Sequence, residues 1–320
     1  MAPHRARRRR PRRPGRRTLR YAVVVSALLV AGTAGGTVYV KARAHDRGSL
    51  VSSSSSAPRA SPTASEPTSG ETSVEPGTEP SADRTALLAE RMRAVPVAAG
   101  AEVSVAVLDL DSGERASYGT GSFDTASIVK VDILAALLLQ AQDADRRLTA
   151  REKTCAAAMI TNSDNASASA LWDDIGRADG LDAANDRFGL TATEGGEGAL
   201  WGLTRTTAAD QLTLLQQVFG DGSLLGAASR TYLQGLMGEI ADGQRWGVSA
   251  AADGSAFALK NGWLPRSTTG LWDVNSIGRI TVGGHDCLVA ALSDGNATMA
   301  KGISLVEAAA RAAVSAYSAD

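Results

Sequence analysis

Histidine and cysteine are scarce in this chain. It has three histidines (His4, His45 and His285) and two cysteines (Cys155 and Cys287) in 320 residues. A structural zinc site needs four clustered Cys or His ligands, so that chemistry is excluded and no metal or other cofactor is expected. His285 is the only histidine beyond residue 45 and lies in a Gly-Gly-His-Asp turn signal, which leaves a Ser-His-Asp triad without a plausible base. The cysteines read as small buried hydrophobes, although an exported chain could pair them. No internal repeat is visible. Aromatic residues make up 4% of the chain, and no later basic stretch extends the arginine-rich start into a groove, so no nucleic-acid partner is expected.

A net charge of -1 hides a strong asymmetry, because Met1–Arg20 carries ten arginines and no acid. Tyr21–Val40 is uncharged and close to the roughly 20 residues that a membrane-spanning helix needs. Arginines before it place residues 1–20 in the cytoplasm, residues 21–40 in the plasma membrane as a signal-anchor, and the rest outside. A cleaved signal peptide, with small residues at Gly32-Thr33-Ala34, is the competing expectation, and it also exports the chain. Residues 41–83 are rich in Ser, Thr, Pro and Glu and read as a disordered spacer.

Residues 84–320 carry alternating apolar patterns. Helical spacing runs through Thr85–Val95, and strands are expected at Ala101–Leu110 and Arg115–Tyr118. Helices follow over 127–141, Thr149–Ile160, Ala166–Ile175, Asp182–Phe188 and Thr206–Val218. Strands near Ala256–Leu259, Leu271–Val282 and Asp286–Leu292 precede a last helix at Ile303–Tyr317. Strands at both ends with helices between them predict a mixed α/β fold: one antiparallel five-stranded sheet flanked by helices, plus an inserted all-α subdomain.

Three short motifs carry chemistry. Ser127-Ile-Val-Lys130 sets a hydroxyl and an amine one helical turn apart, so a lysine with a lowered pKa could take the serine proton. Taken alone, the bland reading of an N-cap serine and a surface lysine wins, but an otherwise apolar helix makes a surface lysine costly there. Ser163-Asp164-Asn165 lies between two helices and could relay a proton or simply cap the second helix. Lys260-Asn261-Gly262-Trp263 ends a strand, where glycine permits close backbone approach and lysine adds positive potential.

In this order the three resemble the S-x-x-K, S-D-N and K-T-G set of class A β-lactamases and related penicillin-binding proteins. The resemblance implies a monomeric serine hydrolase acting on a β-lactam or a peptidoglycan-type peptide. Ser127 would form the acyl-enzyme, Lys130 would take or relay its proton, and Ser163 would protonate the leaving nitrogen with help from Lys260. Asn165, Lys260, Asn261, Gly262 and Trp263 would bind substrate, with Asp164 bracing the loop. The oxyanion would lie between the backbone N–H groups of Ser127 and Trp263.

Three departures bear on this reading. Asn261 stands where the family has Thr or Ser, and the stretch from Ser127 to Ser163 is short. The family's E-x-x-L-N loop is reduced to Glu197-x-x-Leu200-Trp201. Glu197 is then either the deacylation base or a solvated charge. Rival readings are a D-Ala-D-Ala peptidase on the same scaffold and a non-catalytic cell-wall binder.

Overall fold

The computed structural model describes residues 82–254 and 256–317. The expected basic tail, the membrane span and nearly all of the spacer lie outside these residues. Among the described residues no helix is long and apolar enough to cross a membrane.

Side-chain alternation along the strands sorts the domain into layers. Strands β1 (Glu102–Asp109), β2 (Arg115–Tyr118), β5 (Phe257–Pro265), β6 (Trp272–Val282) and β7 (His285–Asn296) form one antiparallel sheet of order β2-β1-β7-β6-β5. One face, with Val105, Val107, Val289 and Ala291, packs on α1 (Ala82–Met92) and α8 (Met299–Ser315) through Leu88, Met92, Val306 and Ala310. The other face, with Ala106, Leu108, Leu288, Ala290 and Leu292, packs on the helical layer. The expected five-stranded sheet and inserted helices are therefore present.

The helical layer surrounds α2 (Val129–Asp143), which is buried on nearly every side, as expected for a helix without a polar stripe. Around it lie α3 (Ala150–Thr161), α4 (Asn165–Asp174), α5 (Arg177–Phe188), α6 (Ala208–Phe219) and α7 (Ala227–Gly238). A capping box starts α3: Thr149 Oγ1 accepts from Glu152 N at 3.2 Å, and Glu152 Oε2 accepts from Thr149 N at 2.7 Å. Helix α7 was not expected, since Gly235 and Gly238 weaken its local propensity, yet Leu233, Leu236 and Met237 bury it. Within α2, burial pushes the Asp132 carboxyl up to about 8, against the hydrogen bond from the Asn185 amide. Cys287 lies in the core between sheet and α8, and Cys155 is half-buried on α3; both are free thiols.

Two further differences from the sequence reading position the site. Strand β5 continues to Pro265, so Lys260-Asn261-Gly262 sits within the strand and not at its end. Two short strands, β3 (Phe123–Asp124) and β4 (Arg205–Thr206), pair just ahead of Ser127.

Candidate active site

Ser127 occupies a 3-10 turn, Ala126–Ile128, that runs directly into α2. Ala126 holds φ at +48°, a left-handed conformation that a residue with a Cβ adopts only when its surroundings impose it. The surroundings are identifiable. Thr125 N donates to Thr204 O at 2.9 Å. From β6, the buried Asn275 amide donates to Asp124 O (2.9 Å) and Thr125 O (3.1 Å), while its oxygen accepts from Ser293 N. Strand β5 presses on the same turn at Gly262. A Cβ there would lie 2.7 Å from both Ser127 N and Thr125 O, so only glycine fits.

One turn into α2, Lys130 is fully buried. Its Nζ donates to Ser163 O (2.7 Å), Ser163 Oγ (3.0 Å) and Asn165 Oδ1 (2.8 Å). Burial pulls its pKa down to about 7, with the Asp164 carboxylate opposing the shift. Lys260 reaches the same hydroxyl from β5, with Nζ 3.0 Å from Ser163 Oγ and 2.8 Å from Asn261 O. It is fully buried, and burial, followed by the charge of Lys130, holds its pKa well below the lysine range. Ser163 therefore bridges two amines, and like Ala126 it holds a positive φ, +56°. Asp164 caps α4 by accepting from Ser167 N at 2.7 Å, and the Ser167 hydrogen bonds hold its carboxyl below the usual range.

The structure thus brings together Ser127, Lys130, Ser163, Asn165, Lys260 and Gly262. Asn261 has a different setting. It is fully buried, and its amide donates to Gln244 O (2.7 Å) and Trp246 O (3.0 Å). Both hydrogens that a substrate carboxylate would need are engaged in tying the 244–246 segment to β5. Trp263, half-buried, packs its ring 5.9 Å from that of Trp246. Glu197 is exposed, and among the described residues its carboxylate makes no hydrogen bond or ion pair.

Sequence reasoning passed over three residues here. Asn275 shows no sequence signal, because its partners precede it by about 150 residues. Gln244 supplies acceptors to Asn261 and, at 3.5 Å, to Lys260. Trp201 was noted only as a departure from the motif, yet its ring centroid lies 4.9 Å from Lys130 Nζ. Its indole N–H donates to Ser169 Oγ at 3.1 Å. The loop that carries it is pinned. Gly195 N donates to Asp182 Oδ1, Gly196 N to Thr204 Oγ1, and Ala192 N to Asp210 Oδ2.

Known proteins share this fold. The sequence pattern of the family described as "Beta-lactamase enzyme family" matches residues 87–154 and 144–317. A Mycobacterium bovis protein named "Putative lipoprotein LppW" is 28% identical over 174 residues, covering 52% of this chain and 55% of its own length. The chain thus spans about half the length of the curated relatives it matches. The solved structure of PBP-A superposes with a TM-score of 0.63 at 22% identity, over 73% of this chain and 96% of that one. A class A beta-lactamase from Bacteroides cellulosilyticus gives 0.64 at 16% identity, over 74% and 99%. With the family pattern spanning nearly all of the described domain, this chain belongs to the beta-lactamase enzyme family.

Proposed function

We propose that the domain is an exported serine hydrolase that opens β-lactams or related amides through an acyl-enzyme on Ser127. The observation that carries this reading is the meeting of three sequence-distant motifs at one hydroxyl: Ser163 Oγ lies 3.0 Å from both Lys130 Nζ and Lys260 Nζ. Export is supported by the arginine-rich start ahead of an uncharged run, and by the lipoprotein name of the mycobacterial relative.

A neutral Lys130 amine, turning from one of its bonds to Ser163 or Asn165 toward Ser127, takes the Ser127 proton as Oγ bonds to the carbonyl carbon. A pKa of about 7 leaves a large share of this amine neutral near neutrality. The oxyanion is received by the backbone N–H groups of Ser127 and Trp263, a kind of stabilisation worth about 3 kcal/mol per donor. As the carbon–nitrogen bond breaks, the Ser163 hydroxyl gives its proton to the leaving nitrogen. Two amines aimed at its oxygen leave that proton free to face the substrate. Asn165 orients the substrate amide, and Gly262 lets β5 approach the turn that carries Ser127. Asn261 acts from beneath, holding the 244–246 segment in place, so recognition of a substrate carboxylate through its side chain is not part of this mechanism.

Glu197 is exposed and unengaged, which favours an acyl-enzyme that forms readily and is hydrolysed slowly. A variant of PBP-A has been solved as an acyl-enzyme with penicillin-G, and that ligand is the natural probe. Incubating the full chain with a fluorescent penicillin should give a covalent adduct visible by intact mass. Ser127→Ala should lose it. If wild type and Ser127→Ala both fail to label, the site is a non-catalytic binder.

A further inference from the structure

We propose that Trp201 is a positioning residue that closes Lys130 off from solvent and so sets how long the Ser127 acyl-enzyme survives. This inference rests on the acyl-enzyme reading above and concerns the second half of the reaction.

Hydrolysis of the ester needs a water oxygen to bond to the carbonyl carbon while the bond from that carbon to Ser127 Oγ breaks. One water proton leaves to a base, and one ends on Ser127 Oγ. The base must touch the water. Lys130 is the amine nearest Ser127 in the chain, and its surroundings are full. Its three hydrogen-bond partners are Ser163 O, Ser163 Oγ and Asn165 Oδ1, and the indole of Trp201 covers a further side at 4.9 Å. The lysine has no exposed surface. A water can reach its nitrogen only by displacing one of these neighbours. The indole also favours the ammonium through the negative face of its ring, which holds the amine in place.

The indole is itself fixed. Trp201 opens a 3-10 turn, Trp201–Leu203, whose next residue, Thr204, accepts from Thr125 N at 2.9 Å. The turn also touches the nucleophile segment, because a Cβ on Gly202 would lie 3.9 Å from Ala126 Cα. Ser169 Oγ holds the indole N–H, and Asp182, Thr204 and Asp210 hold the preceding loop. Glu194 and Glu197, the acids on that loop, are exposed, and among the described residues neither carboxylate makes a hydrogen bond that would aim it at Ser127. The loop thus presents an apolar plate to the amine in place of a base.

The test compares acylation with deacylation on the full chain, using penicillin G and intact-mass detection of the adduct. Trp201→Ala is expected to acylate within about threefold of wild type and to shed the adduct at least tenfold faster. Trp201→Phe keeps an aromatic cover but loses the Ser169 bond, so its lifetime should fall between those of wild type and Trp201→Ala. Ser169→Ala, which only loosens the indole, should shorten the lifetime by a smaller factor and guards against a poorly folded Trp201→Ala. An adduct lifetime unchanged in Trp201→Ala and Ser169→Ala overturns the proposal. So does a parallel loss of acylation and deacylation, which would mark a merely structural role. A wild-type chain that forms no adduct overturns the acyl-enzyme reading itself and is distinguishable from both.

Discussion

Lys130 should make the domain's stability depend on pH in a way that one substitution exposes. In the folded protein its amine titrates at about 7, and in the unfolded chain near 10.5. Between those values the unfolded chain binds more protons, so this group makes stability rise with pH. At about 1.4 kcal/mol per pKa unit, burying the lysine costs about 4 kcal/mol at pH 7 and about 1 kcal/mol at pH 9.5. Lys130→Met removes that term, and it leaves Ser163 O and Asn165 Oδ1 without a donor at every pH. The stability gap between wild type and variant should therefore shift by about 3 kcal/mol in favour of wild type from pH 7 to pH 9.5. Lys260 adds to the shift in the same direction, because the charge of Lys130 helps to depress its pKa and removing that charge flattens the variant's own pH dependence. Urea unfolding of both proteins at the two pH values, at matched ionic strength, measures the double difference. A gap that moves by less than about 1 kcal/mol would mean that Lys130 titrates in the folded protein much as it does in water, and would remove the basis for its role as a neutral base.

Two further predictions test the scaffold. Gly262→Ala puts a methyl 2.7 Å from backbone atoms of Ser127 and Thr125. It should lower stability by about 1–3 kcal/mol and slow acylation roughly 100-fold by displacing the turn, as read by thermal unfolding and labelling rate. Asp132 titrates at about 8 in the fold and near 3.8 unfolded, so its burial subtracts stability as pH rises across that window. Asp132→Asn should match wild type near pH 4 and gain on it by roughly 4 kcal/mol between pH 5 and pH 8, with unfolding midpoints in urea as the check.

Much of this site was legible in the sequence, for reasons that differ by residue. Ser127 and Lys130 were readable because helical geometry sets residues three apart on one face, and because a lysine amid apolar residues is conspicuous. Ser163 and Lys260 became readable only as members of an ordered set. Asn261 shows the limit. Its amide suits a substrate carboxylate, but the same two hydrogens also suit backbone carbonyls, and only the position of Gln244 and Trp246 decides between them. Asn275 and Trp201 work through partners far away in the chain, Asp124 and Thr125 for the one and Lys130 for the other. No local pattern encodes such a meeting. Helix α7 was missed because its glycines argue against a helix, while burial of its apolar face overrides them.

The order of strands in the sheet has a consequence for how the domain comes into being. β1 pairs with β7, so Asp109 finds its neighbour in Cys287, about 180 residues later in the chain. At ribosomal rates of about 5–20 residues per second, Val105 to Leu108 waits roughly 10–40 s with one side unpaired. Among the described residues its only earlier partner is the four-residue β2. An apolar strand held open that long invites pairing with another chain. The completed sheet is also rich in non-local contacts, which slows folding. Growth of the helical layer around α2 cannot shorten that wait, since the last strand is made after all of it. Yield of the folded domain should therefore respond more to chaperone supply and synthesis rate than to the stability of the finished fold.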